Sequence, residues 1–213
     1  FPEYLRARFP IPLSWSYAWL RRFHGAASAT LVSTDRLRRD LRARGFRKLA
    51  LWSRGVDTEL FHPNAADGAP ALGLPGPIFL YVGRLAVEKN IDAFLALDLP
   101  GSKVVVGDGP DAARLRAQFP AAHFLGLRTG PALASVYAAA DVLVFPSLTD
   151  TFGNVILEAM ACGTPAAAFP VQGPADVIGQ SGAGIVDPDL RRAALAALAI
   201  PPELCRAHAC GFS

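Results

Sequence analysis

Cysteine is scarce in this chain, with three in 213 residues at positions 162, 205 and 210. Three cannot close a paired set, and no Cys-x-x-Cys spacing occurs. A disulfide scaffold and a thiolate zinc site are therefore disfavoured, and a reducing compartment is expected. No apolar run reaches the ~18 charge-free residues that a membrane span requires. No internal repeat and no nucleic-acid-binding module is visible. Methionine occurs once, at Met160, and residue 1 is Phe, so the chain is expected to be a fragment with sequence missing at both ends.

Charged residues are also few, at 18%, against 52% hydrophobic. That balance can bury a core and argues against disorder. Eighteen prolines and nineteen glycines lie between apolar runs, as expected for many short elements joined by tight turns. The charge is uneven. Residues 1–60 hold 12 basic and 5 acidic side chains (+7), and residues 61–213 hold 9 and 13 (−4), which together make the overall +3. The first part suits an anionic lipid surface or an anionic substrate; a solvated arginine-rich helix face accounts for it equally.

Along the chain, Trp15, Trp19 and Arg22 could share one helix face, as in an interfacial anchor or in an ordinary packed helix. Residues 29–33 and 48–52 read as strands. Thr34 and Asp35 cap an Arg-rich helix that ends at Gly45. Residues 65–77 read as a connector. From Pro77 a rhythm sets in. Strands are expected at 78–82, 104–106, 123–125, 142–145 and 166–169. Helices are expected at 91–97, 111–119, 132–139, 154–162 and 193–199. Short apolar runs alternating with amphipathic stretches predict an α/β fold, a Rossmann-like doubly wound parallel sheet with helices on both faces.

Ligands of such sheets bind beyond the carboxyl ends of the strands. The loops there are Gly83 to Asn90, Gly107 to Pro110, Gly126 to Arg128, and Pro146 to Asn154. Arg84 and Lys89 in the first loop suit a diphosphate, or pair with acids such as Glu88. In the fourth, Gly153 opens a helix whose free N–H groups suit an anion. Asn154 and Glu158 share a face of that helix, and Asp150 precedes it. Two carboxylates eight positions apart could hold hydroxyls of one polyol. The plainer alternative is that Asp150 or Thr151 caps the helix and Glu158 is exposed. Against it, Glu158 is the one charge in Val155–Ala161, which points to a partner or ligand.

The stretch DTFGNVILEAMACGTPAAA at 150–168 resembles the signature of retaining glycosyltransferases of family 4, which have the GT-B fold. GRLAVEKN at 83–90, GDGP at 107–110, SRGVD at 53–57 and ADVLVFPS at 140–147 are similar to other motifs of that family and keep its order. RTG at 128–130, FPVQGPADVI at 169–178 and the early FPEYLRARFP further resemble GDP-mannose-dependent α-mannosyltransferases and sulfoquinovosyl-transferase-like members.

The resemblance implies transfer of a hexosyl group, with retention, from a nucleotide-diphosphate sugar (GDP-mannose or a UDP-sugar) to a lipid or glycan acceptor. No metal or other cofactor is expected, because Arg84 and Lys89 would stabilise the leaving diphosphate. Asp150, with the backbone of Phe152, Gly153 and Asn154, would hold the donor sugar, and Glu158 the ribose. Gly126, Leu127 and Arg128 would lie near the base. Gly83 and Val155 complete the expected donor-binding set. Residues 1–60 would close the acceptor-side domain, 61–76 would link, and 77–213 would form the nucleotide-sugar domain. The family's acceptor-side loop and histidine would precede Phe1, so the isolated chain is expected to be inactive. The cytoplasm is the expected location, with peripheral contact at the inner membrane face through the basic segment.

The sequence departs from the family in carrying Asp150 where Glu is usual. His24, His62, His123 and His208 match no family motif and are expected to be surface or packing residues. Three rivals remain. Gly107-x-Gly109-x-x-Ala112 opens a helix after a valine strand, as in NAD(P)-dependent oxidoreductases. A nucleotide-binding module without turnover and a GT-B epimerase are the others.

Overall fold

A computed structural model describes residues 12–52, 54–67, 72–150 and 152–212. The early FPEYLRARFP segment, Ser53 and the alternative cap Thr151 lie outside them. The chain divides into two compact units, Phe1–Arg54 and Gly55–Ser213.

The first unit contains α1 (Leu13–Gly25), β1 (Thr30–Val32), α2 (Asp35–Ala43) and β2 (Leu49–Leu51). The two strands pair in parallel, Thr30 opposite Leu49. Thr34 caps α2 as expected, its hydroxyl accepting from the Leu37 amide at 3.1 Å. Trp15, Trp19 and Phe23 stand four apart along α1 and are 75%, 61% and 66% exposed. Trp19 stacks on Phe23 with ring centroids 5.8 Å apart.

The second unit holds a six-stranded parallel sheet. Its strands are β3 (Ile78–Val82), β4 (Ser102–Val106), β5 (His123–Gly126), β6 (Val142–Phe145), β7 (Ala166–Ala168) and β8 (Gly184–Val186). Their spatial order is β5-β4-β3-β6-β7-β8, the doubly wound order in which the chain reverses direction between β3 and β6. The helices are α3 (Ile91–Leu95), α4 (Ala112–Gln118), α5 (Gly130–Ala138), α6 (Asn154–Ala161), α7 (Gln172–Ile178), α8 (Leu190–Ala197) and α9 (Pro202–Cys210).

The strands read as unbroken apolar runs because both faces of the sheet are covered. Leu80, Val104, Leu143 and Ala166 face a core with Tyr137, Ile156 and Leu157. Phe79, Val105, Val144 and Ala167 face the other, with Phe94, Leu115 and Leu190. Alternation along each strand separates the two sets. The three alanines of β7 are fully buried, and their small side chains let the alanine face of α8 approach closely.

Three elements exceed the sequence expectation: α7, β8 and α9. The last begins at Pro201–Pro202 and buries only Cys205 and Ala209, too weak an apolar stripe to stand out in a Cys/His-rich segment. The stretch after Arg54 packs with the second unit. Val56 and Phe61 lie in its core, and Arg206 donates to the carbonyls of Thr58, Phe61 and Ala161 at 2.9, 2.6 and 2.8 Å.

Candidate active site

The reversal between β3 and β6 brings the loops after those two strands side by side. Neighbouring strands carry both, so their separation in sequence is bridged by the hydrogen-bonded sheet. The first loop contains a single 3-10 turn, Val87–Lys89, closed by Asn90 at φ +54. Asparagine tolerates this left-handed conformation better than most residues. Its amide also donates to the Pro146 carbonyl at 3.1 Å, tying one loop to the other.

Beneath the first loop, Tyr81 is buried and its hydroxyl donates to the Arg84 carbonyl at 3.0 Å. Burial, with Asp150 and Glu88 nearby, pushes its pKa up, so the phenol remains a donor. The Gly107–Pro110 turn braces the same loop. Asp108 accepts from the Leu85 amide at 2.9 Å, and Asp111 donates its amide to the Leu85 carbonyl at 3.0 Å. A side chain at Gly107 would begin 1.9 Å from the Gly83 oxygen, and one at Gly109 would begin 2.2 Å from the Leu85 oxygen. Close backbone packing therefore accounts for both glycines without a dinucleotide, which removes the main support for the oxidoreductase reading.

Lys89 crosses to the second loop. Its ammonium lies 2.7 and 2.8 Å from the two carboxylate oxygens of Asp150, and each side chain is about a quarter exposed. Asp150 is thus turned toward Lys89 and does not cap α6. Arg84 is held loosely by contrast, 4.0 Å from Glu88 with its side chain 66% exposed. One closely paired and one exposed cation stand on the same loop.

Gly153 is the N-cap of α6 at φ +90, a conformation that favours glycine, and as a glycine it offers no side chain to the head of the helix. Phe152 is 5% exposed and belongs to the core, while Asn154 is exposed and Val155 half-buried. One turn along, Glu158 is half-buried and accepts a hydrogen bond at Oε2 from the Tyr137 hydroxyl at 2.9 Å. Burial raises the Glu158 pKa, and the Tyr137 bond opposes that rise. The expected partner of this lone helix carboxylate is therefore a tyrosine from α5.

Arg128 does not join the Lys89–Asp150 group. It turns back on the Leu127 carbonyl at 3.1 Å and lines a cavity of about 710 Å³ with Leu125, Ser135 and Val136. Gly126 ends β5 and Leu127 is exposed beside it. Two of the histidines have local partners, His24 facing Thr30 at 3.3 Å and His208 the Val177 carbonyl at 2.7 Å, and His123 is exposed. Sequence reasoning missed Tyr81, Asn90 and Tyr137. The first and last look like core aromatics, and only the hydroxyl at a buried position hints at a polar partner.

Residues 76–200 match the family described as glycosyl transferases group 1. A GDP-mannose-dependent alpha-mannosyltransferase of Mycobacterium tuberculosis is 37% identical over 191 residues, covering 84% of this chain and 49% of that protein. The sulfoquinovosyl transferase SQD2 of Arabidopsis thaliana is 34% identical, covering 77% of this chain and 36% of its own length. The chain thus spans about half the length, or less, of these curated relatives. Among solved structures, Anabaena Alr3699/HepE in complex with UDP and glucose superposes with a TM-score of 0.75 at 19% identity, covering 93% of this chain and 63% of that one. Sucrose-phosphate synthase from Thermosynechococcus elongatus gives 0.76 at 25% identity, over 92% and 57%.

Proposed function

The chain belongs to the group 1 glycosyltransferases, and from that premise we propose that its second unit binds a nucleotide-diphosphate sugar whose hexosyl group the whole protein transfers to a lipid or glycan acceptor. One observation carries the reading: Lys89 and Asp150, 61 positions apart, meet at the reversal of the sheet beside the Gly153-capped head of α6. A cation for the diphosphate, a carboxylate for sugar hydroxyls and the N-terminal end of a helix lie together where open α/β sheets take ligands.

In this reading Lys89 and Arg84 hold the diphosphate and stabilise the charge that develops as it leaves. Gly83 lets the backbone pass close beneath it. Asp150 and the backbone of Phe152, Gly153 and Asn154 hold the sugar, with Val155 completing the turn. Glu158 receives the ribose hydroxyls. Gly126, Leu127 and Arg128 border the base. Retention of anomeric configuration belongs to the proposal, as does independence from metals, for which the two cations supply the physical reason. GDP-mannose is the favoured donor because several mannosyltransferases named for it are 33–37% identical to the chain. The aromatic stripe of α1 beside Arg21 and Arg22 supports peripheral contact with an anionic membrane at the cytoplasmic face. Sedimentation with anionic against neutral vesicles tests that contact, and equal binding to both would remove it. Among the described residues no helix is long and apolar enough to cross a membrane.

Calorimetry with GDP, UDP and NADP+ tests the main proposal. GDP or UDP should bind in the micromolar to millimolar range, and Lys89→Ala and Glu158→Ala should each weaken that binding. Tighter binding of NADP+ than of either nucleotide would overturn it.

A further inference from the structure

Tyr137 stands in the last turn of α5 with no surface exposed. Three contacts immobilise it. Its ring meets Phe61 edge-on at 5.9 Å, its carbonyl accepts from the Thr164 hydroxyl at 2.6 Å, and its own hydroxyl donates to Glu158 Oε2 at 2.9 Å. Packing alone would be served by phenylalanine. A buried hydroxyl requires a partner, and this one is matched to the single charged side chain of α6. An ionised carboxylate only accepts hydrogen bonds, so a donor fixed on one oxygen also fixes what the other oxygen offers.

We propose that Tyr137 is a positioning residue: by occupying Oε2 of Glu158 it presents Oε1, in one orientation, to a ribose hydroxyl of the bound nucleotide. This rests on the reading of Glu158 given above. Ionisable groups also stand at the end of α6 and on α7 and α9, which pack against it. Cys162, the C-cap of α6, is a neutral thiol, because burial pushes its pKa up to about 12. Arg206 on α9 commits its guanidinium to backbone carbonyls, Asp176 stands on α7, and Lys89 is engaged by Asp150. Burial disfavours the Glu158 anion, and the Tyr137 bond counters this.

The test is GDP affinity as a function of pH for the wild-type chain, Tyr137→Phe, Glu158→Gln and the double variant. The phenylalanine keeps the ring contact with Phe61 and removes only the donor. Wild-type affinity should fall as pH drops and Glu158 takes a proton. Tyr137→Phe should bind roughly tenfold more weakly near neutrality, with its acid fall displaced to higher pH. Glu158→Gln should remove that component in both backgrounds, leaving the titration of GDP itself. If Tyr137→Phe lowers thermal stability but reproduces the wild-type pH profile, Tyr137 is a packing residue and the proposal fails while the Glu158 assignment stands. If Glu158→Gln binds GDP like the wild type, both fail together. Should Tyr137→Phe not fold, 3-fluorotyrosine at position 137, a stronger donor, must move the acid fall to lower pH; an unmoved profile overturns the proposal.

Discussion

On the proposed reading, Asp150 holds the same ammonium, that of Lys89, to which the diphosphate would bind. Removing its charge should therefore separate binding of the nucleotide from binding of the sugar. In Asp150→Asn, Lys89 loses a two-point ion pair at 2.7 and 2.8 Å whose members are about a quarter exposed. Exposed pairs contribute about 0–1 kcal/mol and breaking fully buried ones costs about 3–5, so this pair is taken at about 1 kcal/mol. A diphosphate entering the wild-type site must displace that carboxylate, whereas in the variant it need not. GDP should then bind about fivefold more tightly to Asp150→Asn, since ~1.4 kcal/mol is a factor of ten. GDP-mannose should gain less or lose affinity, because the amide replaces a strong hydroxyl acceptor. Calorimetry of both ligands against both proteins, at two salt concentrations, measures this. The gain for GDP should shrink as salt screens the wild-type pair. Weaker GDP binding by the variant would refute the reasoning, because Asp150 would then be assisting the diphosphate rather than competing with it.

Two further outcomes follow from the same geometry. Gly107→Ala would force a methyl group to within 1.9 Å of the Gly83 oxygen at φ +133. Strain and overpacking together should cost about 3 kcal/mol, and the melting temperature of the second unit should fall by roughly 6–12 °C in calorimetry; an unchanged melt would show that the turn does not brace the 83–90 loop. Glu158→Gln should have the opposite effect on stability. Because the folded-state pKa of Glu158 is raised, the folded chain binds its proton more tightly than the unfolded one, and stability declines as pH rises from the ordinary carboxylate range through the folded value. The glutamine variant should melt higher than the wild type near neutrality, with the difference vanishing in acid, while binding GDP less well. A lower melt at neutral pH would contradict the sign of that shift.

Much of the second unit is legible because burial on both faces leaves an unmistakable pattern. Ile78–Val82 and Val142–Phe145 are unbroken apolar runs, and glycine or proline follows each within a residue. The strands at 184–186 and the helices at 172–178 and 202–210 escaped notice because they are short or begin with Gly, Pro or polar residues that carry no strong period. The same limit applies to the site. Lys89, Asp150 and Glu158 draw attention as charges at strand ends or within an apolar helix. Tyr81 and Tyr137 do not, because a buried aromatic in a core looks alike in sequence whether or not its hydroxyl has a task.

Local chemistry alone determined that this chain alternates strands with helices, that the loops after its strands carry the candidate ligand-binding side chains, and that an acidic residue in α6 needed a counterpart. These follow from periodicity and from the cost of burying charge, both readable within a few residues. The choice of counterparts belonged to the tertiary structure. Lys89 meets Asp150 because β3 and β6 are neighbours in the sheet, and Glu158 meets Tyr137 because α5 packs beside α6. Either partnership spans many residues, and only the order in which strands and helices are laid down decides which distant side chains come within bonding distance.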